Sequence, residues 1–105
     1  MEVLLIGNDQ TLDVTGVQNK VSGTYINNAV VTARVKHLNG DDVTGQAWPV
    51  TLAYVTSSDG NYRGVLEDGL ELIAGKRYSI EIRIDAGSDV IGFFRRLAIA
   101  RYRAE

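Results

Sequence analysis

The chain has 105 residues, 45% hydrophobic and 23% charged, with a net charge of −2. That composition excludes a disordered polar chain and fits one domain, residues 1–105, able to bury roughly 65% of its unfolded surface. With no cysteine, disulfides, thiolate zinc sites and cysteine nucleophiles are excluded, and eleven glycines beside one proline point to many tight turns.

The N-terminus, MEVLLIGNDQ, has an acidic second residue and four consecutive apolar residues before Gly7, so it lacks the basic region and long apolar run of a signal peptide. No apolar run approaches the roughly 18–20 residues of a spanning helix. The expectation is a soluble chain, cytoplasmic when synthesised, with no membrane partner.

Strands are expected in chain order at VLLI (3–6) and at TLDVTG (11–16), where Leu12 and Val14 share a face. VVTARVK (30–36) alternates Val31, Ala33 and Val35 with Thr32, Arg34 and Lys36. PVTLAYVT (49–56) is rich in β-branched and aromatic residues, its Pro49 fitting only a strand start or edge. NYRGVLE (61–67) alternates through Tyr62, Gly64 and Leu66. RYSIEIRID (77–85) carries the clearest two-residue period, with Tyr78, Ile80, Ile82 and Ile84 on one face.

Turn chemistry falls between these runs at Asn27-Asn28, Asn39-Gly40, Asp59-Gly60, Asp68-Gly69 and Ala86-Gly87. Its spacing is that of an antiparallel sandwich or barrel. The expected class is all-β, an antiparallel β-sandwich of about seven strands in two sheets.

The last segment, FFRRLAIARYRAE (93–105), is ambiguous by itself. Residues 1–89 hold twelve acidic and seven basic residues, net −5, whereas residues 90–105 hold one and four, net +3. As a strand it places Ile91, Phe93, Leu97 and Ile99 on one face, interrupted by Arg95, and Phe94, Arg96, Ala98, Ala100 and Tyr102 on the other. The strand reading is preferred because a sandwich whose penultimate strand ends at Asp85 needs a closing strand. Phe94, Arg95 and Arg96 are then the candidate partner contacts.

Two stretches resemble bacterial immunoglobulin-like domains. In DGNYRGVLEDGLELIAGKRYSIEIRID (59–85), Leu72, Gly75 and Tyr78 form an L-x-x-G-x-x-Y arrangement before the alternating run. The resemblance implies a structural corner at Gly75 and Tyr78, where the tyrosine hydroxyl bonds back to the backbone. VTGVQNKVSGTYINNAVVTARVKHLNGDDVTG (14–45), followed by Thr44-Gly45-Gln46-Ala47-Trp48-Pro49, is similar to small immunoglobulin-like proteins encoded among structural genes of tailed phages and prophages. That likeness implies a head-tail or tail component working through virion proteins or self-association, homo-oligomers included, and virion-associated once assembled. It carries no catalytic residue. Unlike antibody domains, the chain lacks the cysteine pair, and Trp48 beside Pro49 reads as core or corner packing.

Chemistry is sparse. His37 is the only histidine, and Asn39-Gly40-Asp41-Asp42 lacks the spacing of a calcium loop, so it reads as a polar turn. Ser57, Ser58 and Asp59 with His37 offer hydrolase residue types without a nucleophile motif. Glu67, Asp68 and Glu71 flank an Asp-Gly turn and read as a solvated loop. No cofactor, metal or enzymatic activity is expected. Arg95, Arg96, Arg101 and Arg103 do not make a basic domain, and an acidic body repels phosphate, so nucleic acid is not expected. The alternative function is a cell-surface ligand or glycan-binding module using Trp48 or Tyr62 as a stacking ring.

Overall fold

The computed structural model of the chain describes residues 2–18, 23–86 and 91–103. Among them are seven strands: β1 (Glu2–Leu5), β2 (Gln10–Val14), β3 (Val30–His37), β4 (Val50–Tyr54), β5 (Tyr62–Leu66), β6 (Arg77–Asp85) and β7 (Ile91–Arg101). The alternation in sequence becomes alternation in burial. In β6, Tyr78, Ile80 and Ile82 are buried, and in β3 so are Val31, Ala33 and Val35. β4 starts after Pro49, which has no N–H to give a ladder. It ends where Val55 N–H bonds to Asn61 O at 2.8 Å and the chain reverses. Gly87, of the expected Ala86-Gly87 turn, lies outside the described residues.

The strands are hydrogen-bonded in the order β1-β7-β6-β3-β4-β5-β2. This all-β arrangement of seven strands is one mixed, nearly closed, barrel-like sheet, in which the expected antiparallel pairing holds for every named strand pair but β1–β7. β1 runs parallel to β7, with Glu2 opposite Ala98 and Leu5 opposite Arg101. β4 joins what would be two layers, pairing Val50–Leu52 with β3 and Ala53–Tyr54 with β5. Sequence period reveals which face of a strand turns inward, but it is silent about which edge finds which partner.

The core fills the space the sheet encloses. Tyr78 is its largest element from β6, and the residue opposite it on β7 is Ala98. A small side chain facing a large one lets both be buried, and each fully buried large apolar side chain contributes about 1.5–3 kcal/mol. Val43 also belongs to the core although it lies outside the named strands, held by Val43 N–H to Val35 O at 2.9 Å.

Residues 44–49 leave the β3 edge and return at β4. Within this excursion the Trp48–Pro49 peptide is cis, and the Trp48 indole Nε1 donates to Val43 O at 2.6 Å while its ring packs against the core. Gly45 has φ +107°, and a Cβ there would lie 2.1 Å from Gly69 O. Only glycine permits both that backbone conformation and that approach.

Candidate functional site

β7 is the longest strand, and its inner face is set by Ala98 and Ala100, both buried against Tyr78 and its neighbours. Counting back by twos, Arg96 and Phe94 point the same way. Phe94 packs, half-buried, on the core. Arg96 reaches the rim, where its Nη1 donates to Glu2 Oε1 at 2.7 Å and to Asp13 O at 3.0 Å. It thereby ties β7 to both β1 and β2, the two ends of the strand order.

The opposite parity faces solvent. Phe93 is 56% exposed and Leu97 52% exposed, flanking Arg95 on the outer face. The three contact candidates Phe94, Arg95 and Arg96 are thus divided by the pleat, Arg95 outside and the other two inside. Phe93 and Leu97 are the surface apolar residues that contact reasoning from the sequence passed over. The signal was present in Ala98 and Ala100, whose small side chains suit the crowded inner face and fix the parity of the whole strand.

Across the outer face, the register aligns Arg34, Glu81 and Arg95 in one row and Thr32, Arg83 and Phe93 in the next. The Glu81 carboxylate, only 13% exposed, lies 3.4 Å from Lys36 Nζ and 3.2 Å from Arg95 Nε. Arg34 pairs with Asp42 at 3.1 Å. The guanidinium of Arg95 sits 5.7 Å from the Phe93 ring centroid, a cation–π distance. Such exposed pairs contribute little stability, but they hold Arg95 beside Phe93 instead of leaving it free in solvent. Beside them a shallow groove is lined by Thr32, Arg34, Lys36, Glu81, Arg83 and Phe93.

The backbone edge of β7 completes the site. Ala100 O and Ala100 N bond to Gly75 and Lys76, at the start of β6, so even-numbered residues of β7 present their backbone to β6. Arg101 O accepts from Ile6 N–H at 3.0 Å, so odd-numbered residues present theirs to β1. β1 begins at Glu2, opposite Ala98. In this parallel pattern Glu2 N–H reaches Leu97 O, so among the described residues no strand lies against that edge from Ile91 to Arg96, and the N–H and C=O groups of Phe93 and Arg95 point outward.

Tyr78 is buried, and its hydroxyl accepts from Ile73 N–H at 2.8 Å; Gly75, at φ +81°, donates its N–H to Ala100 O at 2.8 Å. The two residues anchor the corner between the β5–β6 connection and the end of β7. His37 ends β3, with Nδ1 3.0 Å from Lys76 Nζ. Ser57, Ser58 and Asp59 lie in the β4–β5 turn at the other end of the sheet, roughly 20 Å away at about 3.3 Å per strand residue. The structure does not bring these hydrolase residue types together. The Glu71 carboxylate meets the Thr44 hydroxyl and that of Asp42 pairs with Arg34, while Asp68 donates its backbone N–H to Asp9 Oδ1. Among the described residues no group of three or more histidine, aspartate or glutamate side chains gathers around a metal-sized space. Tyr62 is 1% exposed, with its hydroxyl donating to Ile26 O and accepting from Ala29 N–H. Among the described residues no helix is long and apolar enough to cross a membrane.

Comparison with models of protein families, with curated proteins and with solved structures finds no match to this chain.

Proposed function

We propose that this chain is a non-enzymatic assembly protein of a phage or prophage particle, from its head-tail or tail region, acting through protein–protein contacts on β7. The observation that carries the contact part of this reading is the stretch of β7 edge that no strand covers among the described residues, with Phe93 and Leu97 exposed beside it. Unpaired strand edges and exposed apolar side chains are the features through which β-proteins associate. The phage part rests on the motif likeness in residues 14–49 and 59–85. We also read the nearly closed sheet as an immunoglobulin-like arrangement, with β1-β7-β6-β3 and β5-β2 as its layers and β4 passing between them. The Tyr78 hydroxyl bonded to Ile73 N–H supports that reading, as a tyrosine at this corner is a habit of such sandwiches.

The glycan-module alternative depends on Trp48 alone, because the Tyr62 ring is buried. Trp48 itself is half-buried and its indole N–H is occupied by Val43 O.

The test is co-purification with particles from induced cells that carry the gene. The wild-type chain is expected to band with the particles in a density gradient. A Phe93→Arg/Leu97→Arg double variant, altered only at exposed positions, is expected to remain in the free-protein fraction. Wild-type chain found only among free proteins overturns the reading.

A further inference from the structure

We infer that the uncovered edge of β7 pairs with the same edge of a second copy of this chain, antiparallel about a two-fold axis at Phe94, with Phe93 of each copy opposite Arg95 of the other. This deepens the contact reading above by naming the partner, and it uses that reading's surface.

The register follows from the open edge and the side chains beside it. Among the described residues β7 begins at Ile91, and β1 engages it from the Leu97 carbonyl onward, which the Glu2–Ala98 pairing uses, so Phe93 and Arg95 both lie within the open length with Phe94 between them. An antiparallel pairing that sets Phe93 against Arg95 must centre there. The backbone parity agrees, because Phe93 and Arg95 both point their N–H and C=O groups outward and can exchange both hydrogen bonds across the axis. A two-fold contact of this kind is closed, so it yields a dimer and not a fibre.

The side chains are complementary in this register. On the outer face each Arg95 guanidinium comes beside the other copy's Phe93 ring, extending the cation–π contact that already exists within one chain at 5.7 Å. On the inner face Gly92 falls opposite Arg96, and a residue without a side chain leaves Arg96 undisturbed on Glu2. The two half-buried Phe94 rings meet at the axis and cover one another. Shifting either strand to centre on Arg95 would set Arg95 against Arg95, a like-charge pair directly opposite, which is destabilising. Like-charge repulsion therefore disfavours that register.

Two experiments on the full chain test this. The sequence contains no cysteine, so Phe93→Cys and Arg95→Cys variants carry a single thiol each. Opposed residues in this register have Cα atoms about 5.5 Å apart, within disulfide reach, whereas like positions are diagonal at about 7 Å or more. Under mild oxidation an equimolar mixture is expected to give a disulfide-linked heterodimer several-fold in excess of either homodimer. Both positions are exposed, and unchanged thermal melting of each variant confirms folding. In parallel, sedimentation equilibrium measures the dimer dissociation constant. Phe93→Arg, which sets arginine against Arg95 at both pairs, is expected to raise it roughly three- to tenfold. Phe93→Glu is expected to leave it unchanged or lower it. Equal weakening by both substitutions would mean a non-specific apolar contact and overturn the register. A chain that stays monomeric and gives no heterodisulfide overturns the inference; if that chain still bands with particles through Phe93 and Leu97, the assembly reading stands without it.

Discussion

Gln10 and Gln46 make the same pair of hydrogen bonds at two different strand edges. Gln10 accepts from Leu5 N–H at 2.8 Å and donates to Val3 O at 2.5 Å, while Gln46 accepts from Glu67 N–H at 2.9 Å and donates to Val65 O at 3.1 Å. In both cases the carbonyl lies two residues before the N–H. A carboxamide presents one face like a peptide group, so each glutamine stands where a neighbouring strand would. Gln10 does so on the β1 edge that faces β2, closing part of the seam between the first and last strands of the sheet order. Gln46 does so on β5 where β4 has turned away to pair with β3.

Substituting Gln10 should loosen β1. Gln10→Ala removes two part-buried bonds and is expected to cost about 1–2 kcal/mol, read from urea denaturation. Gln46→Ala, at an exposed edge where water replaces the amide, should cost less than about 1 kcal/mol. Hydrogen exchange should separate the two locally, with faster exchange at the Leu5 amide in the first variant and at the Glu67 amide in the second.

The two buried tyrosines should tolerate loss of a hydroxyl poorly, although phenylalanine fills the same space. Tyr78→Phe strands the Ile73 N–H, and Tyr62→Phe strands both the Ala29 N–H and the Ile26 carbonyl. We expect a loss of about 1–3 kcal/mol for Tyr78→Phe and at least as much for Tyr62→Phe, measured as thermal unfolding. Equal stability to wild type would show that water reaches these groups.

Adjacent arginines should behave oppositely. Arg96→Ala unties Glu2 and the Asp13 carbonyl at the seam and is expected to cost about 1–2 kcal/mol. Arg95→Ala removes an exposed pair, leaves Glu81 with Lys36, and should change stability by less than about 0.5 kcal/mol. Only the second should affect association.

Glycine substitutions should rank by space as well as by backbone. Gly45→Ala meets the Gly69 carbonyl at 2.1 Å with φ already positive, and a loss of about 3 kcal/mol or more is expected. Gly7→Ala has the strained φ of +71° but nothing within 4 Å, so only about 1–2 kcal/mol should be lost. Chemical denaturation of the two variants side by side checks the difference.

What the sequence by itself determined is the list of strands and, within most of them, the inward face. Tyr78, Ile80 and Ile82 or Val31, Ala33 and Val35 bury at every second position because a pleated strand allows no other period. Turn residues such as Asn39-Gly40 mark reversals for a similarly local reason, since few residues accept the backbone angles required. What only the tertiary structure decided is which edges meet. The parallel β1–β7 pair, the divided allegiance of β4, and the length of β7 that no strand covers among the described residues depend on contacts between residues far apart in the chain. Arg96 shows the limit most plainly: read locally it is one of a basic cluster, but folded it faces inward and joins Glu2 to Asp13, while Arg95 beside it is left on the surface. Alternation separates two such neighbours, and the packing of Ala98 against Tyr78 fixes which of them goes in.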